Sequence, residues 1–197
     1  ATIEGLVSFP SIADLPVAPD LAVIAVPAAS VSGVVRECGA RGTHAIVVIS
    51  GGFAELPGGG AEQDELVALA RGDGMRLVGP NCVGIINTHP DVRMNATFSP
   101  VAAGRGRIGF ASQSGGVGIE LLARAHALGL GISSFVSLGN TADVSPNDLL
   151  QYWGDDPETD VVLLYLESFG NPRKFARLAE ELARRKPIIA MKSGRTQ

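Results

Sequence analysis

Apolar segments of strand length alternate along this chain with segments whose apolar residues recur every three to four positions. Residues 21–26, 44–50 and 160–166 are continuous apolar runs rich in β-branched side chains. Between the first two, Val31, Val34, Val35 and Cys38 would share one face of a helix, which Gly39 and Gly42 would close. Such alternation is typical of parallel sheets covered on both faces. It predicts an α/β fold of two doubly wound domains in tandem.

The alternation stops between residues 84 and 106, where asparagine, proline and glycine are frequent. We therefore predict a first domain over residues 1–99, a linker over 100–106 and a second domain over 107–197. A doubly wound nucleotide domain normally opens with a strand, a glycine turn and a helix, and no such turn precedes Leu21. We expect an N-terminal piece of the first domain to lie outside this chain.

Composition narrows the classes of function. With 46% hydrophobic and 18% charged residues, the chain has enough apolar residues for a core. A net charge of −4 provides no basic field for nucleic acid or anionic lipid, and no apolar run approaches the roughly 20 residues of a membrane helix. Cys38 and Cys82 are far apart, which predicts free thiols and no metal site. With no secretory signal core, this favours a cytoplasmic location.

Two glycine-rich segments are candidates for phosphate binding, and only the second has the right structural context. Gly104-Arg-Gly-Arg-Ile-Gly109 matches a dinucleotide fingerprint, but it leads into a strand instead of a helix, so we interpret it as a linker and a strand start. Ser112-Gln-Ser-Gly-Gly-Val117 lies between a predicted strand and a predicted helix. There, backbone N–H groups, the helix N-terminus and the hydroxyls of Ser112 and Ser114 could bind an anion. An ordinary capped turn also favours serine and glycine.

This loop resembles the phosphate loop of the succinyl-CoA synthetase α subunit, a member of the NDP-forming acyl-CoA synthetases. Four other segments resemble family landmarks in the same order. They are Val48-Ile-Ser-Gly-Gly-Phe-Ala-Glu55, Leu77-Val-Gly-Pro-Asn-Cys-Val-Gly84, Met94-Asn-Ala-Thr-Phe98 and Ser137-Leu-Gly-Asn-Thr-Ala-Asp143. The resemblance covers nearly the whole chain and implies a Rossmann-like domain followed by a flavodoxin-like one.

The resemblance implies a reaction in which an acid, CoA and a nucleoside triphosphate give acyl-CoA, nucleoside diphosphate and phosphate. An acyl phosphate and a phosphohistidine are the intermediates. Ser114, Gly115 and Gly116 would supply part of the cradle for the phosphohistidine, and Glu167 would contact it. The family also implies ATP or GTP with Mg, an ATP-grasp domain or subunit, and a homo- or hetero-oligomer. Without the resemblance, an exposed acid at a strand end is the favoured interpretation of Glu167.

The resemblance also implies a CoA site formed by small residues and an acid. Its members would be Ser50, Gly51, Gly52, Glu55, Asn81 and Cys82. Small residues allow close backbone contact with CoA. A glycine-rich turn and a packed thiol are the alternatives, and Cys82 has no basic neighbour in sequence that would make it a nucleophile.

The sequence departs from the family at its histidines. None of His44, His89 and His126 follows the family pattern, in which the histidine comes after the strand that ends near Lys192. We expect that histidine beyond Gln197, so this chain alone would be catalytically incomplete. Two alternatives stay open: a regulatory acyl-CoA-sensing region of a protein lysine acetyltransferase, and an interaction module without a ligand.

Overall fold

The computed structural model describes residues 2–194, which form two mainly parallel sheets and a small antiparallel hairpin. The N-terminal elements are β1 (Thr2–Ile3), β2 (Leu6–Val7), a 3-10 turn (Ile12–Asp14), β3 (Leu21–Ile24), α1 (Ala28–Arg41), β4 (Ala45–Val48), α2 (Gly60–Gly72) and β5 (Arg76–Val78). The remaining elements are β6 (Gly84–Asn87), β7 (Met94–Thr97), β8 (Arg105–Ser112), α3 (Gly115–Ala127), β9 (Ile132–Ser137), α4 (Pro146–Asp155), β10 (Val161–Leu166), α5 (Pro172–Ala183) and β11 (Ile188–Lys192).

The first sheet contains three parallel strands in the order β3-β4-β5. Helix α1 packs on it through Val31, Val35 and Cys38, the face that the periodicity predicts. Gly42 ends this helix in the left-handed region, with φ at 84°, where a residue with a side chain would be strained. The predicted alternation of strands and helices is confirmed in this part of the chain.

The second sheet has six strands in the order β11-β10-β8-β9-β6-β7. Strands β10, β8 and β9 are adjacent and parallel, so their carboxyl ends meet at one edge. Helix α4 begins at a capping box, in which the backbone N–H of Ser145 donates to the Asp148 carboxylate at 2.9 Å. On the helix, Trp153 is fully buried, and its Nε1 donates to Ser134 Oγ at 2.7 Å.

The glycines of the apparent dinucleotide fingerprint have packing roles. A Cβ on Gly109 would lie 2.6 Å from Cε2 of Trp153, and a Cβ on Gly106 would lie 2.3 Å from the Gly131 backbone. Both glycines belong to β8 and permit close approach within the second sheet and its helix layer. The interpretation as a strand start, instead of a dinucleotide site, agrees with this placement.

The structure differs from the sequence prediction between residues 84 and 106. The segment predicted to be irregular contains β6 and β7, which pair with each other antiparallel. Strand β6 also pairs antiparallel with β9, so both strands extend the second sheet. Residues 84–97, which the prediction assigns to the first domain, therefore hydrogen-bond with the second. The division at residues 100–106 stays a prediction.

A buried carboxylate joins the two sheets. The Asp143 side chain has no exposed surface, and it accepts hydrogen bonds from Arg71 Nη2 at 2.6 Å and from Arg76 Nε at 2.9 Å. It also accepts from the backbone N–H of Leu77 at 2.9 Å. Burial raises the pKa of Asp143, but the hydrogen bonds from Arg76, Leu77 and Arg71 outweigh burial and lower it. This ion cluster fixes the loop after β9 against β5.

Candidate functional site

A cleft of about 670 Å³ lies where the loops after β5, β8, β9 and β10 meet. Functional groups commonly collect at the carboxyl ends of parallel strands. The lining combines polar, small and apolar residues from both sheets. They are Ile49, Glu55, Asn81, Cys82, Val83, Phe98, Gln113, Ser114, Gly115, Gly116, Ile119, Gly139, Asn140 and Glu167. Seven of the predicted site residues thus meet at one cleft, namely Glu55, Asn81, Cys82, Ser114, Gly115, Gly116 and Glu167.

The N-terminus of α3 opens on this cleft. Ser114 is its N-cap residue, and its Oγ accepts from the backbone N–H of Val117 at 3.5 Å. A Cβ on Gly115 would lie 2.9 Å from Val83, so this position requires a small residue. Gly116 has open space around it. Free N–H groups at a helix start together with the helix dipole favour an anion.

Ser112 occupies a different place from the one predicted. Its side chain is fully buried, and its hydroxyl donates to the backbone oxygen of Ser114 at 2.6 Å. Because that hydrogen is already used, the Ser112 hydroxyl is not available as a donor to an anion in the cleft. Its contact instead shapes the turn that leads into α3.

Glu167 follows β10 directly, and its exposed side chain faces the cleft across from α3. Its backbone N–H donates to Oε1 of Gln113, a residue that is only 9% exposed. The same oxygen accepts from the backbone N–H of Ser168 at 2.8 Å. The loop after β8 and the turn after β10 are therefore held together by one amide side chain.

A polar network crosses from the loop after β4 to the loop after β9. The Glu55 carboxylate accepts from the backbone N–H groups of Gly52 and Phe53 and from Asn140 Nδ2. Asn140 Nδ2 also donates to Gln63 Oε1 at 2.9 Å. Burial raises the pKa of Glu55, but the bonds from Asn140, Gly52 and Phe53 outweigh it and lower the pKa. Glu55 is thus an ionised residue that orders this loop.

Ser50, Gly51 and Gly52 are not among the residues that line the cleft. The Ser50 hydroxyl donates to the backbone oxygen of Val26, and the Ser50 carbonyl accepts from the Asn81 N–H at 3.0 Å. A Cβ on Gly51 would lie 3.4 Å from the Asn81 side chain. These three predicted residues support the loop that carries Glu55 and Asn81.

Cys82 lines the cleft but is only 4% exposed, and its Sγ donates to the backbone oxygen of Val48 at 3.3 Å. Burial raises the pKa of this thiol to about 12. The thiol is therefore protonated near neutral pH, which agrees with the interpretation that it is not a nucleophile. The apolar part of the lining consists of Ile49, Val83, Phe98 and Ile119.

Two family models match the chain in order along its sequence. Residues 1–88 match a CoA binding domain, and residues 105–197 match a succinyl-CoA ligase like flavodoxin domain. Together they cover all but a short segment between them. The chain belongs to the NDP-forming acyl-CoA synthetases.

Relatives of this synthetase chain are longer than the chain itself. The chain is 46% identical over 196 residues to the ADP-forming acetate–CoA ligase I of Archaeoglobus fulgidus. The matched region covers 99% of this chain and 28% of that protein. It is 39% identical to the α subunit of the ADP-forming acetate–CoA ligase II of Pyrococcus furiosus, over 99% of this chain and 42% of that subunit. The chain thus spans less than half the length of these relatives.

Among solved structures, the dinucleotide forming acetyl-coenzyme A synthetase 1 of Ca. Korarchaeum cryptofilum in complex with phosphate and ADP is similar to this synthetase chain. The TM-score is 0.93 at 42% sequence identity, covering 99% of this chain and 42% of that one. The likeness confirms the predicted α/β architecture of a Rossmann-like and a flavodoxin-like part.

The three histidines of the synthetase chain lie away from the cleft. His44 precedes β4, His89 follows β6 and His126 lies on α3. The expected histidine beyond Gln197 lies outside the described residues. Within residues 2–194, no group of three or more His, Cys, Asp or Glu side chains could hold a metal ion. No helix in that range has the length and hydropathy needed to cross a bilayer.

Proposed function

We propose that this chain is the CoA- and phosphate-binding core of an ADP-forming acyl-CoA synthetase. In the forward direction, the parent protein converts an acid, CoA and ATP to acyl-CoA, ADP and phosphate. In the reverse direction, phosphate attacks the thioester of acyl-CoA, which gives an acyl phosphate and free CoA. A histidine then takes the phosphoryl group, releases the acid, and passes the phosphoryl group to ADP.

One observation carries this proposal: the N-terminus of α3 faces the same cleft as the two loops that carry Glu55 and Asn81. The first offers N–H groups to a phosphoryl group, and the second offers ordered backbone next to small residues for CoA. A cleft that holds both would place a thioester and a phosphate within reach of each other. If the start of α3 were only a capped turn, nothing would require the loops that carry Glu55 and Asn81 to face it.

Each part of the cleft then has a role. Backbone N–H groups at Ser114, Gly115 and Gly116 stabilise the phosphoryl dianion without a cation. Glu167 orients the imidazole of the incoming histidine and favours its cationic form. Glu55 and Asn81 order the CoA loops, with Ser50, Gly51, Gly52 and Cys82 packed beside them. We assign magnesium and nucleotide to an ATP-grasp domain or subunit.

The names of the relatives extend the proposal to the substrate. Two of them are ADP-forming acetate–CoA ligases, so we infer ADP as the nucleotide product and a small monocarboxylic acid as the acyl donor. One of these relatives is an α subunit, which supports an assembly with a second subunit or domain. Two buried free thiols are compatible with the proposed cytoplasmic location.

The experiment uses the full-length parent protein together with its ATP-grasp part. It is incubated with acetyl-CoA and labelled inorganic phosphate, and acid-labile, base-stable label on the protein is measured. Label that ADP removes as labelled ATP is the expected result. Measurable CoA binding without label would overturn the proposal and favour a regulatory acyl-CoA sensor. Neither label nor CoA binding would favour an interaction module.

Glu167→Gln tests the assigned carboxylate in the same assay. The substitution keeps the size of the side chain and removes its charge, so we expect slower labelling with little change in thermal stability. Labelling at the wild-type rate would remove Glu167 from the mechanism.

A further inference from the structure

We infer that Gln113 is a positioning residue that sets the distance between Glu167 and the anion-binding start of α3. This inference rests on the proposed function, because it concerns the same cleft. Gln113 follows β8, the strand that lies between β10 and β9 in the sheet. It is therefore the residue from which both neighbouring loops can be reached.

The Gln113 side chain contacts both of those loops. Oε1 accepts from the backbone N–H groups of Glu167 and Ser168, in the turn after β10. Nε2 donates to Thr141 Oγ1 at 3.0 Å, in the loop after β9, and to Ser168 Oγ at 3.5 Å. Both ends of the amide are thus used, which fixes its orientation.

The location of Gln113 makes these bonds consequential for the site. The next residue, Ser114, caps α3, so the amide is one peptide unit from the proposed phosphate cradle. Its backbone N–H donates to the carbonyl of Tyr165 at 3.0 Å, which continues the β8–β10 pairing up to the loop. A side chain that is nine-tenths buried has little freedom to move. The Glu167 backbone therefore has a fixed position relative to the helix start.

The Gln113→Met variant separates positioning from folding. Methionine matches the length of glutamine but neither accepts nor donates strongly. Glu167 and Ser168 are exposed turn residues outside the hydrophobic core, so the fold should survive the loss of these bonds. Because small displacements of reacting groups are costly, single-turnover labelling of the parent protein should slow about 10- to 100-fold. CoA affinity should be unchanged, since Gln113 makes no bond to Glu55, Asn81 or Asn140.

A double-mutant cycle distinguishes positioning from a general structural role. If Gln113 acts through Glu167, then Gln113→Met should slow labelling much less in a Glu167→Gln background than in the wild type. Gln151→Met, an exposed site on α4, is the matched control and should label at the wild-type rate. Two results would overturn the inference: a wild-type labelling rate in Gln113→Met, or rate losses from Gln113→Met and Glu167→Gln that multiply fully in the double variant. In either case, labelling of the wild-type protein would still uphold the proposed function.

A second variant guards against misfolding of the first. Thr141→Val removes the hydroxyl that accepts from Gln113 Nε2 and also donates to the Gly139 carbonyl at 3.3 Å. Loss of the bond to Gln113 should slow labelling by about 2- to 10-fold, the value of one hydrogen bond. An unchanged rate in Thr141→Val, when Gln113→Met does not fold, would also overturn the inference. If the wild-type parent takes up no label, the proposed function fails and the inference falls with it.

Discussion

The Asp143 cluster should control how firmly the loop after β9 is held against the first sheet. Asp143→Asn keeps the shape of the side chain but removes its charge, which weakens the bonds from Arg71 and Arg76. The amide oxygen can still accept from Leu77 N–H, but the new amide NH2 takes the place of the oxygen that accepts from Arg71. The change therefore removes both the charge and the hydrogen bonds from Arg71 while keeping the bond to Leu77.

The size of the effect follows from burial. Removing one member of a fully buried ion pair costs roughly 3–5 kcal/mol. Here the carboxylate is buried, but the Arg71 and Arg76 side chains are 61% and 52% exposed and recover hydration when released. We therefore expect a loss of about 1–3 kcal/mol. Asp143→Leu should cost more, because it also leaves the buried Leu77 N–H unpaired.

Hydrogen exchange measured by mass spectrometry on the parent protein checks this value locally. Peptides that cover residues 71–78 and 139–145 should exchange roughly 5- to 150-fold faster in Asp143→Asn. Asp160→Asn, at the exposed pair with Arg107, is the matched control and should leave these peptides unchanged. Unchanged exchange in Asp143→Asn would refute the assigned role.

The same cluster predicts a pH dependence. The pKa of Asp143 is lowered in the folded protein, so its stabilisation is complete above the unfolded pKa of about 3.9. It is lost as the pH falls below that value and passes through the folded pKa. Acid should therefore lower the protection of these peptides, measured relative to the intrinsic exchange rate at each pH, in the wild type and much less in Asp143→Asn.

Three further changes test other parts of the structure. Ser114→Asp should abolish phosphate binding at the α3 start, because it places a carboxylate against the anion; unchanged binding by calorimetry would contradict the loop assignment. Gly109→Ala should lower stability by about 1–3 kcal/mol by forcing a methyl group against Trp153, seen as a lower melting temperature, whereas Gly104→Ala, in open space, should not. Cys82 should resist alkylation at pH 8, because burial raises its pKa to about 12; rapid labelling of the folded protein would refute this.

Sequence periodicity predicts most of the fold because the buried strands are continuous and apolar. Residues 161–166 and 45–48 show this clearly. The failure at β6 and β7 has a physical cause. Both are short, and Met94–Thr97 carries polar side chains that never become fully buried. What stabilises them is antiparallel pairing of β6 with β9, about fifty residues away, and of β7 with β6, and no local pattern contains the first of these.

The residues of the candidate site likewise fall into those that the sequence indicates and those that only the fold reveals. Glycine, serine and proline mark the loops that carry Ser114–Gly116 and Asn81, so sequence alone indicates those loops. Gln113 and Asn140 are single amides, and their importance comes only from the loops that the fold brings beside them. Ser112 shows the opposite error: its position suggests a ligand contact, but its hydroxyl is satisfied within the turn.

The pairing of β6 with β9 also determines how much the backbone connection before β8 contributes to holding the residues before it against the residues after it. Residues 84–97 are embedded in the second sheet before the chain enters β8, so the backbone between residues 98 and 104 is not what holds the halves together. A protease cut in that stretch would leave two fragments interlocked by a ladder of backbone hydrogen bonds. Fragments divided there are suited to complementation, because the first fragment carries the edge strands of the second sheet, whereas a division at residues 79–83 would leave each sheet whole within its own fragment.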